Sequence, residues 1–214
     1  MTDQTTSATA HAPDAPDHAN SAGRPHGPLA GRTVVMLTAD EGVERVELTR
    51  PREALLRAGA TVLLASPTGG RVLLFDHLDH AGTEQSDSTI ADVDLSDVAG
   101  IVLPGGVANP DQLRTQPDAV RLLTDALDAG MPVAVVFHGP WTLVETGRLA
   151  GRTLTSWPSL RTDLTNAGAA WVDREVVVCE AGPGPLVSSR KPDDLDAFAD
   201  AAIEVFAQSS TQSE

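Results

Sequence analysis

Pro132-Val133-Ala134-Val135-Val136-Phe137-His138-Gly139-Pro140-Trp141-Thr142-Leu143-Val144-Glu145 decides the reading of this chain. Up to Val136 it is a short, largely β-branched apolar run, as expected for a strand buried on both faces. The run passes into His138-Gly139-Pro140 and then a helical Trp141–Glu145 with no loop between them. A strand that turns so sharply into a helix holds its corner residue exposed and strained, with the first N–H groups of the helix facing a ligand. Such an elbow presents nucleophiles. Its corner here is Phe137, whose benzyl side chain cannot attack a substrate.

The segments on either side repeat the strand-then-helix theme. Thr33–Thr38 reads as the first central strand, and Val46, Leu48, Ala54, Leu55 and Ala58 recur at helical spacing over Glu44–Ala58 before Gly59 stops the pattern. Thr61–Ala65 is a second buried strand, closed by Ser66-Pro67-Thr68-Gly69-Gly70. Arg71–Leu95 alternates weakly and reads as short strands and loops on an edge. Gly100–Leu103 is a third core strand ending in Pro104-Gly105-Gly106, followed by a helix over Pro117–Ala129. Beyond the elbow the pattern predicts a helix over Ser159–Ala167, a hairpin of Glu175–Cys179 with Leu186–Ser189, and a closing helix over Asp193–Phe206. Strands alternating with amphipathic helices imply an α/β, doubly wound fold: a mostly parallel sheet with helices on both faces.

Composition narrows the function classes. Residues 1–30 are rich in Ala, Pro, Ser, Thr, Asp and His without an apolar run, and read as a disordered tail. One domain is expected over residues 31–208, with residues 209–214 as a second disordered end. The tail lacks a basic start and an apolar core, and no later stretch approaches eighteen continuous apolar residues, so a cytoplasmic location and no membrane partner are expected. The formal net charge of −15 barely depends on the tail, whose three Asp and one Arg carry only two of those charges. An acidic fold lacks the basic face that nucleic acid requires. Solubility is the plainest use of that charge. A single Lys beside fourteen Arg points to a GC-rich or salt-adapted source. The lone cysteine, Cys179, excludes an intramolecular disulfide framework and a thiolate metal cluster.

In doubly wound sheets the ligand crevice lies beyond the carboxyl ends of the central strands, so three loops should converge: Asp40–Glu47, Pro104–Asp111 and Phe137–Pro140. These loops carry a resemblance. Glu44-Arg45-Val46-Glu47-Leu48-Thr49, Leu103-Pro104-Gly105-Gly106, Phe137-His138-Gly139-Pro140, Thr155-Ser156-Trp157-Pro158-Ser159 and Ser189-Arg190-Lys191-Pro192-Asp193-Asp194-Leu195 resemble, in order, the signatures of the PfpI family. The resemblance covers about Gly31–Phe206 and implies a class I glutamine-amidotransferase-like, flavodoxin-like fold. It also implies intracellular cysteine peptidase or deglycase chemistry of the stress response, in a homodimer or larger assembly, with no cofactor or metal.

Residue by residue, the resemblance implies an elbow cysteine where this chain has Phe137. It makes Glu47 the conserved acid, and Asp111 a second acid offered across the subunit contact. Gly105 and Gly106 would supply backbone N–H groups to an oxyanion. Gly139 and Trp141 complete the expected ligand-binding set. His138 then has two readings: a base oriented by the neighbouring subunit's acid, or a residue that only packs the elbow. His77 and His80 read as solvated loop residues, and His11, His18 and His26 as residues that bind nothing. Cys179 reads as structural, with no cationic neighbour in sequence. Two functions remain open. The chain has lost the family reaction and persists as a ligand-binding or structural oligomer, or it is a cysteine-independent enzyme in which Glu47, with His138, does acid–base chemistry on a small carbonyl or aromatic substrate. A scaffold role in mixed oligomers with a cysteine-bearing paralogue is a third.

Overall fold

The computed structural model describes residues 26–209. In chain order the strands are β1 (Thr33–Leu37), β2 (Glu41–Glu44), β3 (Thr61–Ser66), β4 (Arg71–Asp76), β5 (Asp79–Gln85), β6 (Ser88–Thr89), β7 (Val98–Leu103), β8 (Val133–Val136), β9 (Thr153–Leu154), β10 (Ala170–Trp171), β11 (Val176–Cys179) and β12 (Leu186–Ser189). The α-helices are α1 (Arg45–Arg57), α2 (Ala108–Leu113), α3 (Pro117–Asp128), α4 (Pro140–Val144), α5 (Arg161–Asn166) and α6 (Leu195–Gln208).

The main sheet runs β11-β12-β8-β7-β1-β3-β6, and every pairing in it is parallel except that of β11 with β12. Its central strands are continuous apolar runs because both faces are covered. Along β1, Val35 and Leu37 join the cluster built with α3, α4 and α5, whereas Val34 and Met36 join the one built with α1 and α6. The period of two in a strand thus feeds two cores from one sequence. The sheet therefore carries helices on both faces, as the alternation of elements predicts.

From β1 the chain builds outward to β3 on one side and then to β7 on the other. That reversal opens a crevice beyond the carboxyl ends of β1 and β7, the place where open α/β sheets bind ligands. The edge segment resolves into a separate sheet ordered β2-β4-β5, in which β4 and β5 form an antiparallel hairpin. Arg45 ties the hairpin to the start of α1 through a bidentate pair with Asp76 (2.9 and 2.6 Å). The exposed His77 sits at the hairpin turn with φ 59°, and the exposed His80 is the second residue of β5; both are solvated, but His80 lies in a strand rather than in the expected loop.

Two expected boundaries move outward. Leu29, placed in the tail by composition, is fully buried beside α1, and its N–H donates to Ala58 O at 2.9 Å. One apolar residue in a turn leaves no periodic signal, but it is enough to anchor the turn. At the other end the Ser209 hydroxyl donates to Ala99 O (2.9 Å), so the ordered chain passes residue 208. Residues 1–25, with His11 and His18, and residues 210–214 lie outside the described residues. Among the described residues no helix is long and apolar enough to cross a membrane.

Candidate functional site

The elbow follows directly from β8. Phe137 has φ +59°, one of two non-glycine residues in the left-handed region among those described. An L-residue held there costs about 1 to 3 kcal/mol, so the surrounding structure must impose the conformation. Two hydrogen bonds do so: Phe137 N–H donates to Ser189 O (3.1 Å) at the end of β12, and Trp157 N–H donates to Phe137 O (3.0 Å). The ring packs edge-on between His138 (centroids 4.2 Å) and Trp157 (4.9 Å), and rests on the core cluster that includes Leu48 and Val136.

Glu47 comes up beneath this corner from the first turn of α1. It is fully buried, and its Oε2 accepts a hydrogen bond from Gly105 N–H at 2.8 Å. Oε1 has no partner among the described residues. Burial holds the carboxyl well above the usual carboxylate range; the Gly105 N–H opposes that shift and the nearby Glu44 adds to it. Burial thus favours the protonated form of Glu47 over the carboxylate. The loop above is packed to the same tolerance: a Cβ on Gly105 would lie 2.5 Å from Glu47 Oε2, 2.9 Å from His138 N and 3.0 Å from Phe137 Cβ. Gly106 (φ +84°) packs on the carbonyl of Gly42, and a Cβ there would lie 2.8 Å from Glu44 N. Only glycines fit at this pair of positions.

His138 is 6% exposed. Its Nε2 lies 3.4 Å from the Ser159 hydroxyl, and Nδ1 has no partner among the described residues. Burial lowers its pKa to about 4, so the imidazole is neutral at physiological pH. Gly139 N–H donates to Val136 O (2.8 Å) and closes the turn.

The expected residues therefore divide. Glu47, Gly105, Phe137 and His138 meet at one point. Gly106 and Gly139 shape the two loops that meet there. Asp111 and Trp141 lie to the side, on α2 and α4, where they line a cavity of about 520 Å³ with Gly42, Phe75, Leu78 and Val107. Arg114 lies over the Trp141 ring (4.8 Å to the centroid) and is ion-paired with Glu145, an arrangement that stabilises by cation–π attraction. One expectation fails as stated: Gly105 N–H does not stand open for an oxyanion, because Glu47 accepts it.

Two residues carry roles that sequence reasoning missed. Asn109, fully buried at the start of α2, bonds backbone on both converging loops. Its only signal in sequence is a polar residue just after Pro104-Gly105-Gly106. The second is Arg152, 2% exposed, whose guanidinium donates to Gly184 O (2.8 Å) and feels the thiol of Cys179. Cys179 is buried in β11, accepts Thr153 N–H (3.2 Å), and has this cationic neighbour only because the fold brings β11 beside the segment at 152.

Comparison with known proteins decides the family. The model of the DJ-1/PfpI family matches residues 32–205. The chain belongs to that family. It is similar to the deglycase PfpI of Pyrococcus furiosus, 38% identical over 165 residues that cover 77% of this chain and 93% of that protein. It is also similar to general stress protein 18 of Bacillus subtilis, 37% identical over 157 residues, 72% of this chain and 87% of that one. Among solved structures, Drosophila melanogaster DJ-1beta superposes with a TM-score of 0.71 at 26% identity, covering 85% of this chain and 94% of that one. The elbow, the acid beneath it and the paired glycines of this DJ-1/PfpI chain thus lie in a fold shared with deglycase-named and stress-named relatives.

Proposed function

We propose that this DJ-1/PfpI domain has lost cysteine-dependent hydrolase, deglycase and glyoxalase chemistry and acts as a cytoplasmic ligand-binding or structural oligomer of the stress response. The observation that carries this is Phe137. The elbow keeps the strained backbone of a nucleophile corner (φ +59°), yet its side chain is an inert ring packed between His138 and Trp157. The single thiol, Cys179, is 6% exposed in β11, away from the three loops of the site. The test is direct: purified protein incubated with peptide substrates and with methylglyoxal-modified arginine should leave both at the rate of a buffer control. Turnover that survives exhaustive thiol alkylation would instead favour the acid–base reading.

One observation supports that second reading. Glu47 lies directly beneath the elbow with its pKa raised by burial and Oε1 free of partners among the described residues, an arrangement that suits a general acid. In that reading Glu47→Gln abolishes a turnover of a small carbonyl or aromatic substrate that alkylating reagents leave untouched.

Self-association is supported by the surface beside the site. Leu78 is 91% exposed and Val107 59% exposed, and both flank the cavity that holds Asp111 and Trp141. A second copy seated there would cover those apolar groups and bring an acid toward a neighbouring elbow. Light scattering should return at least twice the 22.3 kDa chain mass, and Leu78→Asp with Val107→Asp should return the monomer.

A further inference from the structure

We infer that Asn109 is the positioning residue of this site: it locks the loop after β1 to the loop after β7 and so aims the Gly105 N–H at Glu47. An asparagine near the start of a helix commonly uses its side chain on local backbone, most often as the N-cap that bonds the free N–H groups of the first turn. Asn109 does not. Its Oδ1 accepts from Ala39 N–H (2.7 Å), 70 residues away in sequence, and its Nδ2 donates to Pro104 O (2.9 Å) and Gly105 O (3.0 Å). All three bonds leave the helix and go to backbone of the two loops that border the crevice. The side chain is fully buried, so each bond it makes replaces one that water cannot supply.

The consequence is geometric. The Gly105 residue is held from both sides, its carbonyl by Asn109 Nδ2 and its N–H by Glu47 Oε2 (2.8 Å). Close packing against Phe137 Cβ and His138 N leaves room only for a glycine, and the hydrogen bonds through Asn109 and Glu47 set the direction of its peptide groups. Removing the Asn109 amide frees the Gly105 peptide to rotate and leaves the Glu47 carboxyl without its one donor. That donor favours the ionised form of the acid, so its loss makes the proton harder to remove. The inference shares with the proposed function only the placement of Glu47 and Gly105 in the site. Its readout is a titration, so it stands or falls whether or not the protein turns over any substrate.

The test is carboxyl 13C NMR of the full chain, with the Glu47 resonance assigned by its disappearance in Glu47→Gln. In Asn109→Ala the Glu47 titration should move up by at least about half a pH unit. Leu164→Ala, an equally buried truncation in the core on the other face of the sheet, should destabilise the fold and leave that titration where it was. An unmoved Glu47 in Asn109→Ala, or an equal shift in Leu164→Ala, overturns the inference. Amide hydrogen exchange on the unmodified protein tests the same clamp without a variant. Ala39 and Gly105, on different loops, should open together with protection factors within about threefold of each other; a difference beyond about tenfold overturns it.

Discussion

Phe137→Cys should take up one equivalent of iodoacetamide in the native state, where the unmodified chain, with its one thiol 6% exposed in β11, takes up almost none. The corner conformation does not depend on the side chain it carries. Its left-handed backbone is pinned by Ser189 O and Trp157 N–H rather than by the side chain, so the new residue inherits φ near +59° and the strain of about 1 to 3 kcal/mol that goes with it. What it does not inherit is the packing of the ring. Phe137 is half-buried, and its loss should lower stability by about 1 to 3 kcal/mol, read as a lower denaturation midpoint. Glu47 beneath the corner, its pKa raised by burial, and the neutral His138 beside it are the polar partners such a thiol would meet. If the frame is intact, turnover of methylglyoxal-modified arginine or of a peptide should rise at least about tenfold over the parent, which general acid–base assistance alone can supply. Alkylation without turnover would show that the surrounding loops do not hold a thiol at this corner in a productive geometry. Failure to alkylate would show that the turn has closed over the corner, and would sink the reading of Phe137 as a side-chain change in a preserved elbow.

The parts of this molecule that were legible in sequence are those in which one residue type can satisfy one physical demand. The central strands β1, β3, β7 and β8 are short apolar runs because both faces are covered, and their pattern needs no partner to be seen. The elbow was legible for the same reason: a buried strand that meets His138-Gly139-Pro140 without a loop can only turn sharply. Glu47 was legible through its motif, not its periodicity. By spacing alone it is one more carboxylate on α1, whereas the fold buries it completely.

What could not be read depends on partners distant in sequence. β6, β9 and β10 are two residues each and exist only because a neighbouring strand offers hydrogen bonds. β2 and α2 lie in stretches read as loops, and they take regular form by packing on each other across the crevice. Asn109 is one polar letter until Ala39 and Gly105 are brought to it. The Arg152 and Cys179 neighbours are 27 positions apart, and the bond from Gly105 N–H to Glu47, which withdraws the expected oxyanion donor, joins a loop to a helix 58 residues away in sequence. The site's outline is local, and its hydrogen-bond circuitry is not.

That circuitry sets a pH dependence that separates the two buried titratable groups. Folding lowers the His138 pKa from 6.5 to about 4, so between those values the unfolded chain binds a proton that the folded chain does not. Stability contributed by neutral His138 is therefore complete above about pH 6.5 and lost as pH falls toward 4, by at most about 3 kcal/mol. Glu47 works in the opposite sense. Folding raises its pKa above 4.5, so as pH climbs past that value the unfolded chain releases a proton the folded chain keeps, and stability falls by about 1.4 kcal/mol per pH unit until Glu47 ionises in the fold. Above about pH 4.5 the two slopes oppose: the His138 slope ends near 6.5, and the Glu47 slope ends where its carboxyl ionises in the fold. Glu47→Gln should therefore differ little from the parent in its denaturation midpoint at pH 4.5, aside from a constant offset, and become progressively more stable relative to it at pH 6.5 and pH 8. His138→Gln should do the reverse, gaining on the parent as pH falls from 6.5 to 4.5. Contributions from exposed groups are common to all three proteins and drop out of the differences. Urea titrations at the three pH values decide the matter. Parallel profiles for Glu47→Gln and the parent would mean that folding leaves the Glu47 pKa where it is in the unfolded chain, and would remove the burial argument.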